Sequence, residues 1–420
     1  MRDRSEELRE QALELTPGGV HSNVRLLGPQ VFISHGKGAR LYDVDGNEYI
    51  DYLLGQGPNF LGHAPDEVLD AVDAACRKGM VYGAQHELEI RAAAAVLQAI
   101  GWADKVRFAM TGTEAVQAAL RAARAATGRD KFIRFAGQYH GWLDNVLVAV
   151  DEAGAPRVAS EGQLAAHLDD SIMLPWNDLS IVEDVLEDVG DEVAAIITEP
   201  VMLNAGSIEP RPGYLEGLRE LCDRHGVVLI FDEVISGFRV ALGGAAERYG
   251  VTPDLATYGK ALAGGWPVAA LAGKEDLMEG FGTARINHSG TFNASVMACA
   301  ATTATVERLV ADPPYEALER LGGRLQDGLR QLANEYGIEM NVQGLPMAFH
   351  VGFGSGPVTD FGSLQRLDLA GYASFAQTLV EHGVWVTGRG IWYVSAAHTE
   401  TDVDVTLERV AKAMTVLQSA

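Results

Sequence analysis

Short apolar runs alternate with longer stretches of helical period from about residue 65 onward. The spacing predicts helices over Pro65–Arg77, Glu87–Ile100, Ala115–Thr127, Leu215–His225 and Ala294–Val310. Between them it predicts strands over Val106–Met110, Lys131–Phe135, Ala194–Thr198, Val227–Phe231 and Val268–Ala272. Strands that are apolar throughout and separated by helices imply an α/β chain with a mainly parallel sheet buried on both faces. Upstream, residues 5–15 read as a short helix stopped by Pro17-Gly18-Gly19. The alternation in "ARLYDVDGNEYIDYL" (39–53), centred on Asp45-Gly46, reads as a hairpin. After about residue 311 the pattern returns to helices with shorter strands, such as Ala348–Phe353 and Trp392–Ser395. The expected division is an N-terminal segment (1–60) that joins a C-terminal α+β domain (311–420), with a large domain (61–310) between them.

The chain has 420 residues, 47% of them apolar, an ordinary globular composition. Its 57 acidic against 33 basic residues give a net charge of −24. That balance argues against nucleic acid or an anionic membrane as a partner. Cys76, Cys222 and Cys299 are scattered and suggest a reducing compartment with no disulfide framework. The charged N-terminus does not read as a signal peptide, and the apolar run Ala261–Gly273 is too short to span a bilayer. A cytoplasmic location is expected.

In an open parallel sheet, ligands bind beyond the carboxyl ends of the strands. Thr111-Gly112-Thr113 follows one predicted strand and opens a helix. Its hydroxyls and amides suit an anion such as phosphate, or simply cap the helix. Tyr139 and Val234 follow two other strands, either as packing residues or as the two faces of a slot for a flat ring. Asp232 follows "VVLIF", where a carboxylate needs a cation or donor as partner; an arginine or a protonated ring nitrogen would serve. Lys260 is one of only seven lysines against 26 arginines, and it lies in the apolar, glycine-rich "TYGKALAGGWPV". A lysine there either snorkels to the surface or loses its proton and becomes a nucleophile. No HExxH is present. Ser34-His35-Gly36-Lys37 fits S-x-x-K without its companion motifs, and "GFGSG" (352–356) lacks a following helix.

"GGVHSNVR" (18–25), "LYDVDGNEYIDY" (41–52), "TGTEA" (111–115), "YHG" (139–141), "EPV" (199–201), "LIFDEVISGFR" (229–239), "GVTPDLATYGKALAGGWPVAAL" (250–271) and "SGTFNAS" (289–295) carry a resemblance over nearly the whole chain. The sequence resembles the fold-type I, class III aminotransferases that use pyridoxal 5′-phosphate (PLP), in the branch of glutamate-1-semialdehyde aminomutase and the β-amino acid aminotransferases. The resemblance implies that Lys260 holds PLP as a Schiff base and shuttles a proton. Asp232 would keep the pyridine nitrogen protonated. Gly112 and Thr113 would cradle the phosphate, with Tyr139 and Val234 on opposite faces of the ring. Thr291 would reach the phosphate of the neighbouring subunit's cofactor, which implies a homodimer. Asn204 would lie near the cofactor's 3′ oxygen, and Glu199 would stand beside the site with no role assigned.

Two departures bear on the substrate. The aminomutase pattern has an aromatic residue where this chain has Gln56, and a glutamate where "GRGIWYVSAAHT" (388–399) has Gly390. Arg389 lies beside that glycine, as in related β-amino acid aminotransferases, and Arg25 is retained in "S-x-V-R". Two arginines that grip a carboxylate point to an aminotransferase working between an amino acid, which could be a β-amino acid, and an oxo acid. Each arginine could equally form a surface ion pair. An aminomutase and a PLP-dependent epimerase are the alternatives.

Overall fold

The computed structural model describes residues 3–151 and 156–419. They divide into two compact units. One comprises Asp66–Tyr315 and Val358–Gly362; the other comprises Met1–Pro65, Glu316–Pro357 and Ser363–Ala420.

The first unit is built on a seven-stranded sheet. Its strands are β1 (Lys105–Ala109), β2 (Lys131–Phe135), β3 (Ser171–Leu174), β4 (Val193–Thr198), β5 (Val228–Glu233), β6 (Leu255–Tyr258) and β7 (Ala269–Gly273), in the spatial order β1-β7-β6-β5-β4-β2-β3. Every residue of β4 to β7 is buried, the pattern of strands covered on both faces. The strands from β6 to β3 run parallel, and β7 is antiparallel to both β6 and β1. The reversal has a simple cause. Residues 259–268 are too few for a helical crossover, so β7 can only return beside β6 in the opposite sense. That short return carries Lys260.

Helix α1 (Gly112–Thr127) follows β1 and starts three residues before the predicted Ala115. Thr111 is its N-cap, and its hydroxyl accepts from the amide of Glu114. Ala118, Ala119, Ala122 and Ala123 are buried in the core beside Phe132, Ile197 and Ile230, and Ala115 is buried with Ala109 and Ala269. These small side chains let the helix lie close to the sheet.

The second unit holds two smaller sheets. The predicted hairpin is present as Arg40–Asp43 and Glu48–Asp51, antiparallel to each other. Glu48–Asp51 also pairs in parallel with Val384–Trp385, so N- and C-terminal segments share one sheet. A three-stranded sheet joins Met340–Leu345, Ala348–Phe353 and Ile391–Tyr393. This last strand ends before Ser395, whose hydroxyl and amide both turn to the ring of His398.

Candidate active site

The site is built at the carboxyl edge of the large sheet. Asp232 lies within β5, not after it, because the strand continues to Glu233. Its carboxylate is buried. Oδ2 faces Nδ1 of His140 at 2.7 Å, and Oδ1 accepts from the Thr257 hydroxyl at 3.1 Å and the Val234 amide at 3.2 Å. The protein partner is therefore a histidine and not an arginine. A carboxylate offers about four lone-pair directions. Three are filled, which leaves one for a further N–H donor. In the sequence His140 stands out only as part of "YHG". Its ring is fully buried, and burial pushes its pKa below the usual histidine value despite the opposing pull of Asp232. A neutral ring facing a carboxylate donates through Nδ1, and its Nε2 has no partner among the described residues.

Val234 ties three elements together. A Cβ on Gly112 would come within 3.0 Å of it, and one on Gly259 within 3.3 Å. The end of β5, the start of α1 and the turn before Lys260 therefore meet at one side chain. At the start of α1 the carboxylate of Glu114 accepts from the amides of Met110 and Thr111. The amides of Gly112 and Thr113 lie in the first turn and have no intrahelical acceptor, the usual arrangement of an anion site. The "YHG" loop packs against this turn. Gly141, at φ +106°, has no space for a side chain because its Cβ would lie 2.7 Å from the Thr113 hydroxyl. Tyr139 is 47% exposed although both neighbours are buried.

Lys260 opens a one-turn 3₁₀ helix, Lys260–Ala263. Ala261, Leu262 and Ala263 are buried, whereas Lys260 is half-buried. Its φ is +45°, in the left-handed region. A non-glycine residue kept there is strained, and such strain concentrates at functional sites.

Glu199 links two loops. Oε1 accepts from the Tyr139 amide at 2.8 Å and from Nδ2 of Asn204 at 3.1 Å, and Oε2 accepts from the Asn204 amide at 3.1 Å. Burial, reinforced by the charge of Asp232, pushes its pKa up to about 7. Burial also raises Glu233 to about 7. The unfolded chain releases these protons near 4.5, while the native state keeps them up to about 7. Stability from both groups is therefore present at low pH and falls as pH rises through that window. His350 and His398, held down to about 4 by burial, give the opposite slope below 6.5. A difference between proteins isolates the glutamate. Glu199→Gln should make the cofactor-free protein's stability less steeply falling with pH, by up to about 1.4 kcal/mol per pH unit between pH 5 and 7. Urea titrations at several pH values measure this, and parallel pH curves for the two proteins would contradict it.

Thr291 is exposed in the loop before the helix Val296–Ala311, next to a Phe292 ring that is also exposed. In the second unit Arg25 is exposed at the end of the turn Asn23–Arg25, and Arg389 is exposed in the turn Thr387–Gly390. Gln56 sits in a left-handed helical turn. Leu54, Gly55, Gln56 and Gly57 all have positive φ, and the amides of Gln56 and Gly57 both bond to the Leu53 carbonyl. The buried carboxylate of Asp51 anchors the turn by accepting from the amides of Leu53 and Leu54.

A basic amine on a strained turn, an exposed aromatic ring, anion-binding amides and a buried carboxylate with one open direction form a donor set that fits a flat, anionic, N-protonated ring. The comparisons agree with this chemistry. The family model for class III aminotransferases matches residues 22–419. A glutamate-1-semialdehyde 2,1-aminomutase of Desulfatibacillum aliphaticivorans is 41% identical, covering 98% of this chain and 99% of that one. Among solved structures, an ω-transaminase from Sphaerobacter thermophilus superposes with a TM-score of 0.92 at 30% identity, over 98% of this chain and 97% of that one. A β-phenylalanine aminotransferase from Variovorax paradoxus does so with a TM-score of 0.89 at 29% identity, over 99% and 95%. The chain belongs to the class III aminotransferase family. It is a PLP-dependent enzyme with the mainly parallel α/β fold of that family.

Proposed function

We propose that this enzyme is an aminotransferase that moves an amino group between a carboxylate-bearing amino acid, β-amino acids included, and an oxo acid. The observation that carries the reading is Gly390. Its φ is +78°, and a Cβ there would collide with the Val351 carbonyl and His350 Nε2. The glutamate of the aminomutase pattern has no room at this position. Arg389 stands beside it and offers two parallel N–H donors to a carboxylate, with Arg25 as a second candidate. The similarity to a β-phenylalanine aminotransferase supports this reading. The aminomutase reading is favoured by the curated relatives, and it keeps the amino group on one carbon skeleton.

When bound, PLP supplies an electron sink and a temporary carrier for the amino group. Lys260 Nζ would hold its aldehyde carbon and take the proton from the amine-bearing carbon of the substrate. Asp232 would hold the proton on the ring nitrogen. Gly112 and Thr113 would bind the phosphate, Tyr139 and Val234 would bracket the ring, and Asn204 would face the 3′ oxygen. Glu199 would orient Tyr139 and Asn204. Thr291 would reach the partner subunit's cofactor in a homodimer. Sedimentation of the active holoenzyme should therefore give a dimer, and a fully active, PLP-saturated monomer would contradict the shared site.

Arg389→Ala should lower kcat/KM for an amino acid by roughly 2–4 kcal/mol, the loss expected when a charge-paired hydrogen bond is broken. An amine without a carboxylate should lose little. Equal losses on both substrates would make Arg389 structural.

A further inference from the structure

We infer that His350 is a positioning residue for Arg389, fixing the backbone of the turn from which that arginine meets a substrate carboxylate. The inference rests on the carboxylate-binding role proposed above. The turn Thr387–Gly390 links Val384–Trp385 to Ile391–Tyr393 and closes through the Gly390 amide to the Thr387 carbonyl at 3.2 Å. Two further bonds hold it from the neighbouring strand Ala348–Phe353. The Val351 amide donates to the Gly390 carbonyl at 2.8 Å, and the His350 ring donates to the Arg389 carbonyl. Nδ1 of His350 has no partner among the described residues, so the donor is Nε2. That same nitrogen lies 2.5 Å from where a Gly390 Cβ would stand.

The surroundings of the turn exclude other side chains. A Cβ on Gly388 would lie 2.8 Å from the Ala373 Cβ on the helix Leu369–Glu381. Arg389 is thus flanked by two positions that admit no side chain. The ring is confined in turn, because a Cβ on Gly352 would lie 3.0 Å from its Cε1. His350 is buried, and burial holds its pKa down to about 4. Near neutral pH it therefore carries a single N–H, committed to the Arg389 carbonyl.

This mount matters because a guanidinium grips a carboxylate well only when both N–H bonds align. An ångström of drift in a positioning group can cost up to about 10²-fold in rate. Bonds to the carbonyls of Arg389 and Gly390, between two packed glycines, remove that freedom at the base of the side chain.

The test compares His350→Leu, which removes the N–H at similar volume, with His350→Gln, whose amide can replace Nε2–H. Holoenzyme kcat and KM are measured for a β-amino acid and for the amine that lacks its carboxylate, with Arg389→Ala alongside. Arg389→Ala should collapse the amino acid to amine ratio of kcat/KM. His350→Leu should lower it roughly tenfold, mainly through KM, and His350→Gln should return it to within about twofold of wild type. Gly390→Ala drives a methyl group against the same ring and carbonyl. It should lower the ratio likewise, and it decides the matter if the leucine variant does not fold. A wild-type ratio in Arg389→Ala removes the carboxylate reading and this inference with it. A lowered ratio in Arg389→Ala beside a wild-type ratio in His350→Leu or Gly390→Ala leaves that reading standing and overturns the role of His350. Equal losses on both substrates in His350→Leu, with no recovery in His350→Gln, also overturn it.

Discussion

Lys260→Ala should lose turnover on the order of 10⁴-fold, because in the proposed role one change removes both the covalent anchor and the base. The structural basis is local. Lys260 alone in its 3₁₀ turn is half-buried while Ala261–Ala263 stay in the core, and its backbone is held at φ +45°. Holding a non-glycine residue there costs about 1 kcal/mol or more. A merely structural lysine would relax, or be replaced by the glycine that the conformation prefers. Borohydride reduction of the wild-type holoenzyme should attach a phosphopyridoxyl group to the peptide that contains Lys260, as read by mass spectrometry. In the alanine variant no peptide should carry it. Label on another lysine in the wild type would contradict the assignment.

Asp232→Asn should lower kcat by roughly 10²–10³-fold, about 3–4 kcal/mol. Part of the loss is charge, since in the proposed role a neutral amide would not stabilise a proton on the ring nitrogen. The rest is orientation. The carboxamide oxygen can still accept from Thr257 and the Val234 amide, but its NH₂ then faces Nδ1–H of His140 across the present 2.7 Å contact. Two donors cannot share that contact, so His140 must change tautomer or move within a fully buried position. Steady-state kinetics with the PLP-loaded variant measures the effect, and near-wild-type kcat would count against the assigned role.

Much of this site is legible in the sequence, for identifiable reasons. Lys260 stands out because lysine is rare in this chain and its neighbours are small and apolar. Asp232 stands out as a carboxylate on an apolar run. Glu87–Ile100 is read at its true ends because its apolar period stops at Gly101, which takes the left-handed conformation. The remainder depends on contacts that no local pattern encodes. His140 and Asp232 are 92 residues apart, and nothing around "YHG" indicates that the histidine turns inward to the carboxylate. The strands Leu255–Tyr258 and Ser171–Leu174 are four residues each, too short for periodicity to separate them from loop. The antiparallel β7 follows from the brevity of its connection, which becomes decisive only once β6 is recognised. Gly390 reads in sequence as a missing glutamate; the fold adds that Val351 and His350 leave it no alternative. The left-handed φ of Lys260 and its half-burial leave no mark in composition.

The proposed activity transfers an amino group between two molecules, one of which carries a carboxylate. Purified wild-type enzyme loaded with PLP should be given a β-amino acid with an oxo acid in one experiment, and glutamate 1-semialdehyde with no oxo acid in another, with products quantified over time. A new amino acid should form from the oxo acid in the first experiment, with little or no 5-aminolevulinate in the second. Efficient conversion of glutamate 1-semialdehyde to 5-aminolevulinate without an oxo acid, together with no transfer between separate molecules, would contradict it.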